Sequence, residues 1–260
     1  MNLLASRVVL RQRSLADSLD LALPLCLANR RPLGVLALVM LTPLAALLGF
    51  LRIGQHWHWP ALWAICLVAS FLVEGVFTVA LGELLFKPPA EARVRTFVAR
   101  FLRRLPALVV ANVLRWIAAT ATLAILAPGS IFLPEAMLLE GASFSRAWTR
   151  SRALARNRGG VCFGIWLTTL ALPVVGAISM DLLCNTGVGF VLQLGLPAGE
   201  LWTDGGSGFA VLGALLAVPV VAAVRFLGYV DLRTRKEGWD IQLRFVALAE
   251  QSALGRRRAA

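Results

Sequence analysis

The 260 residues are 58% hydrophobic and only 15% charged, with a mean hydropathy of +0.75. Ordinary soluble domains carry about 25% charged residues, so this balance excludes one and points to a membrane chain. The net charge is +12, but the basic residues lie in blocks between apolar runs, which suits anionic lipid headgroups better than nucleic acid.

In chain order, residues 14–31 read as a pre-membrane segment. Ser14 with Asp17 makes a capping box, and Leu15, Leu19, Ala22 and Cys26 share a helix face. The alternating leucines from Leu19 to Leu27 also fit a strand. Pro24 would kink a helix, so a broken interfacial helix is expected. The first span is 33–51. The second, 61–82, is entered through Gln55–His56–Trp57–His58–Trp59–Pro60, where Trp57, Trp59 and Trp63 suit an interfacial aromatic belt.

Residues 87–105 follow as a basic amphipathic helix: Val94, Phe97, Val98, Phe101, Leu102 and Leu105 oppose Arg93, Arg100, Arg103 and Arg104. It lies on the membrane or, in the sharper reading, is a partner-binding helix. The third span is 107–127. Either a short fourth span continues through Phe144, with Glu135 and Glu140 inside the bundle, or residues 128–140 re-enter the bilayer; the short span is preferred. A second basic amphipathic helix covers 143–157, stopped by Gly159 and Gly160. The fifth span, 161–180, leads into a loop to Ser207 that lacks Lys and Arg, and the sixth is 208–230. Straight after it, Asp231 to Asp240 carries six charges in ten residues, the mark of a membrane exit.

Orientation follows from charge. Blocks 1–32, 83–105, 141–159 and 229–260 hold 23 of the 26 Lys and Arg residues, and the outer loops hold one, Arg52. The positive-inside rule then places both termini in the cytoplasm of a bacterial inner membrane. The expectation is an all-α polytopic helical bundle: one membrane domain over 1–260, with a pre-membrane segment 1–32, six spans over 33–230 and a charged tail 231–260.

Chemistry-bearing patterns are sparse. The two histidines, His56 and His58, lack a second ligand pair, and the four cysteines are scattered. No nucleophile, phosphate-loop or metalloprotease motif occurs, so neither enzyme chemistry nor a cofactor or metal is expected. Intramembrane charge is more informative. Glu74 and Arg115 both fall about 12 Å from the inner ends of consecutive antiparallel spans. They are expected to pair, as a structural ion pair or as a proton or substrate relay. Arg225 lies nearer the surface, where it snorkels or meets Glu83.

Two segments carry a resemblance. Residues 137–160, with Glu140, Gly141, Ala147, Arg150, Ser151 and Leu154, form a signature of Glu-Gly, a gap, then Ala-x-x-Arg-Ser-x-x-Leu. Residues 229–243 add Tyr229, Asp231, Arg233, Arg235, Glu237, Gly238 and Asp240. Together they resemble bacterial polytopic proteins described as the membrane domain of glycerophosphoryl diester phosphodiesterases (YciC-like). The phosphodiesterase catalytic domain that names that family has no room in this chain. The resemblance implies a six-span membrane domain and little about activity. The charges of the two signatures are expected to dock, Arg150 against Asp231 or Glu237, and Glu140 against Arg233 or Arg235. The functional expectation is a non-enzymatic scaffold or accessory for membrane or envelope components, with anionic lipids and membrane proteins as partners. The alternative is a transporter or lipid-handling permease centred on Glu74 and Arg115.

Overall fold

The computed structural model describes residues 14–86, 94–121, 128–187 and 199–237. Every regular element among them is helical: α1 (Leu15–Ala28), α2 (Arg30–Ile53), α3 (Trp59–Phe86), α4 (Val94–Ala121), α5 (Leu133–Leu139), α6 (Phe144–Ala155), α7 (Gly159–Thr186), α8 (Leu201–Asp204) and α9 (Gly208–Glu237), with a 3-10 turn at Pro128–Ser130. Four of these, α2, α3, α7 and α9, are long and apolar enough to cross a membrane.

The bundle is assembled around α9. Its residues 221–232 are buried without interruption, Arg225 and Asp231 included. By contrast, α7 buries only 17% of its apolar window and α2 22%. These two turn residues such as Leu38 and Leu183 outward, at 68% and 71% exposed. In a bilayer such surface meets lipid tails, so its exposure carries no hydrophobic penalty.

Small residues let α7 and α9 approach. A Cβ at Gly176 would stand 2.6 Å from the carbonyl oxygen of Gly213, a backbone atom with little room to move. The start of α9 is held by polar contacts. Ser207 accepts from the amide of Ala210 at 2.9 Å and donates to the buried carboxylate of Asp181 on α7. That carboxylate thus sits at the positive end of the helix dipole.

Several sequence expectations change. Helix α1 runs unbroken through Pro24, opened by the reciprocal Ser14–Asp17 box at 3.0 and 3.1 Å. It packs against α9 rather than lying free at the interface: Ala22 is 1% exposed, and the Cys26 thiol faces the Pro219 carbonyl at 3.7 Å. Helix α4 joins the expected surface helix to the start of the expected third span and passes straight through Pro106. Residues 122–127, the end of that span, lie outside the described residues. The fourth span is replaced. Seven-residue α5 reaches about 10 Å, a third of the roughly 30 Å hydrocarbon core, and residues 131–138 are all buried within the protein. Finally, the charged stretch after residue 230 does not leave the helix, because α9 continues to Glu237.

Candidate functional site

Positions 225, 229 and 233 lie one helical turn apart on a single face of α9. Each carries a polar side chain, and the chain places an acid opposite each. Arg225 is deepest, at 3% exposure. One terminal nitrogen meets Glu74 of α3 at 2.9 Å, while the other meets Glu135 of α5 at 2.9 Å and the Ile131 carbonyl at 2.7 Å. The snorkelling role expected for Arg225 is therefore overturned: its guanidinium is enclosed and tied to two helices. Glu74, expected to meet Arg115, is held by Arg225. The side chain of Arg115 lies outside the described residues.

One turn on, the Tyr229 hydroxyl donates to Glu140, and its ring packs on Phe132 with centroids 5.9 Å apart. Arg233 follows, 3.2 Å from the same carboxylate, and Arg150 of α6 donates to it from Nε at 2.6 Å. Glu140 thus collects donors from α6 and α9, and the two charged signatures are in contact through the Glu140–Arg233 pair. Arg150 pairs with Glu140; of its two expected partners, Glu237 has its side chain outside the described residues. Asp231 pairs with Arg235 one turn along its own helix at 2.8 Å. The buried Ser151 hydroxyl donates to the Gly129 carbonyl at 2.9 Å, tying α6 to the turn before α5. The side chain of Glu237 and the whole of Asp240 lie outside the described residues.

Gly141 explains why glycine follows Glu140. Its φ is +69°, the left-handed region that disfavours side chains. A Cβ there would stand 2.8 Å from a terminal nitrogen of Arg104, whose other terminal nitrogen donates to the Gly141 carbonyl at 3.0 Å. The Glu-Gly pair is therefore a hub for arginines from α4, α6 and α9. Glu135 and Arg104 were absent from the sequence-based site. The available signals were an acid within an apolar ten-residue run and a glycine beside an acid.

A groove of about 620 Å³ lies between α3 and α7 with α9 as its floor. Trp63 of α3 and Trp202 of α8 stand among its walls, and its polar lining comes from Ser70, Glu74 and Thr169. The Trp63 indole donates to the Gly205 carbonyl at 3.1 Å, fixing that end of the groove to the α8–α9 turn. The Thr169 hydroxyl donates back to the Trp166 carbonyl at 2.7 Å, leaving its oxygen as an acceptor. The polar ladder on α9 and the groove meet at Glu74. Set against known proteins, the chain matches no family model, no curated protein and no solved structure.

Proposed function

We propose that this chain is a non-enzymatic, lipid-handling protein of a bacterial inner membrane, holding an amphiphile in the groove between α3 and α7. The observation that carries this reading is the shape and chemistry of that groove. Trp63 and Glu74 are eleven residues apart on α3, or about 16 Å along a helix, close to the thickness of one leaflet's hydrocarbon at about 15 Å. The walls are apolar except for Ser70, Thr169 and Glu74. Indole groups at one end suit the membrane interface. Arg225, itself tied to Glu135 and the Ile131 carbonyl, holds Glu74 at the other, so the inner end keeps its geometry whatever occupies the groove.

In this reading both termini are cytoplasmic. The six-span order becomes four full crossings by α2, α3, α7 and α9, plus one excursion over residues 107–139 that leaves and returns at the cytoplasmic face. The kinship suggested by the two signatures fits this order and belongs to the proposal. Val174 lines the groove and is 57% exposed, so Val174→Trp fills space without disturbing packed core. Native mass spectrometry of the purified protein is expected to show retained lipid in the parent and clear loss in V174W at equal helicity. Equal retention in both refutes the groove as the binding site.

The scaffold reading keeps one observation of its own. The Glu140 hub fixes α4, α6 and α9 into a single cytoplasmic surface of the kind a protein partner requires. Specific copurification of a membrane or envelope protein that is lost on Glu140→Gln favours it.

A further inference from the structure

The groove between α3 and α7 changes character along its length. At its indole end, Trp63 and Leu201 pack on a small cluster that includes Ala177. Ser70 lies seven residues beyond Trp63 on α3, and Thr169 lies eight residues before Ala177 on α7. With α3 and α7 antiparallel, as successive crossings require, both stand about 10–12 Å along the groove from that end. Both line it. Thr169 has committed its proton to the Trp166 carbonyl at 2.7 Å, and Ser70 shares a side-chain hydrogen bond with Cys66. Each hydroxyl oxygen still keeps a lone pair that accepts.

Pro173 adds a further acceptor at the same depth. It lies within α7 and lines the same groove. Proline has no N–H, so the Thr169 carbonyl one turn earlier loses its helical donor. Positions 169 and 173 share a helix face, which puts that carbonyl on the groove side. A plain hydrocarbon chain passing here leaves these oxygens dry and unpaired, a cost that a hydrogen-bonding ligand avoids. We propose that the groove selects an amphiphile whose chain carries a hydroxyl group about 10–12 Å from its head. The inference rests on the groove being the lipid site and names what that lipid carries. A hydroxyl donates its proton to the Thr169 oxygens without bringing a charge between apolar walls.

The test uses the purified full chain in neutral detergent with monoglycerides, whose uncharged head leaves the chain as the variable. One carries a stearoyl chain, one the same chain hydroxylated at its middle, and a positional control is hydroxylated beside the ester carbonyl. Bound lipid is read by native mass spectrometry. The parent is expected to prefer the mid-chain hydroxyl over the plain chain about fivefold to tenfold, the scale of one neutral hydrogen bond. Thr169→Val removes the hydroxyl at nearly constant shape, and Pro173→Ala returns an N–H to the Thr169 carbonyl. Each is expected to lower the preference to under about twofold while binding the plain chain as the parent does. A loss in one variant alone supports the inference and assigns the ligand's proton to the hydroxyl or to the carbonyl. Should either variant lose the plain chain as well, Ser70→Ala carries the same expectation. No preference in the parent, an equal preference for the positional control, or an undiminished preference in every variant overturns the inference and leaves the groove in place. Undiminished binding of all three lipids in V174W overturns the groove itself.

Discussion

Replacing Arg225 with methionine removes a cation that joins α3, α5 and α9 inside the bundle. Arg225 is 3% exposed, and Glu74 and Glu135 lie 2.9 Å away on either side. With an effective dielectric of about 20, each pair at a charge separation of about 4 Å is worth about 4 kcal/mol of attraction. Desolvating the three ions offsets most of that gain while the cluster is intact. In Arg225→Met the attraction is gone and two buried carboxylates face each other, so a loss of about 3–5 kcal/mol is expected. Neutralising the acids as well, in Arg225→Met with Glu74→Gln and Glu135→Gln, removes the repulsion and should recover much of that loss. Reversible unfolding of the three-fold variant, of R225M and of the acid pair alone supplies the cycle. A loss under about 1 kcal/mol for R225M, or simple additivity across the cycle, would refute the claim that these residues form one coupled unit.

Gly176→Ala forces a methyl group to within 2.6 Å of the Gly213 carbonyl oxygen, so α7 and α9 must separate. A loss of about 1–3 kcal/mol in thermal or denaturant unfolding is expected. Gly141→Ala meets both the +69° backbone and the Arg104 guanidinium. It should cost about 1–2 kcal/mol through the backbone, and an Arg104→Ala background should relieve only the steric part. In intact cells Cys184, near the end of α7, is expected to react with a membrane-impermeant maleimide, whereas labelling of Cys26 from outside would invert the orientation. Burial pushes the Cys26 thiol from 9.0 up to about 11. At neutral pH it holds about a hundredfold less thiolate than an ordinary cysteine. Its labelling after permeabilisation should therefore remain slow, and its rate should rise about tenfold per pH unit until pH approaches 11.

Hydropathy made α2, α3, α7 and α9 legible because a span must be apolar along its whole length, whatever surrounds it. Their expected limits fall inside the observed helices by two to seven residues at most ends, since the ends are charged or aromatic yet still helical. The region 107–140 was harder. A short apolar run that is buried by protein and one that is buried by lipid look the same in sequence. Residues 131–138 are enclosed by protein, so composition alone misread them as a crossing. The expected boundary between the surface helix ending at 105 and the span starting at 107 also disappears. A proline removes one amide donor but does not compel a break when neighbouring helices hold the axis, and α4 passes through Pro106.

The ion pairs show where one-dimensional reasoning stops. Depth matching brought Glu74 to notice as an acid within an apolar helix, where it is buried, but depth alone does not specify an azimuth. Many cations at one level are equally far from the bilayer surface, and only packing decides which faces the acid. Here α9 lies against α3, α5 and α6 together, so its Arg225–Tyr229–Arg233 stripe reaches Glu74, Glu135 and Glu140 in turn. That stripe was readable as a four-residue repeat of polar side chains, two of them beyond or at the end of the apolar stretch. Glu140 was readable as a partner of Arg233 from the opposite charges of the two signatures, and the pair is present; Glu135 was not, because a buried seven-residue helix brings it to Arg225. The same packing joins the two candidate regions: Glu74 lines the groove, and the ladder that begins with its partner Arg225 runs one turn at a time to the arginine hub around Glu140.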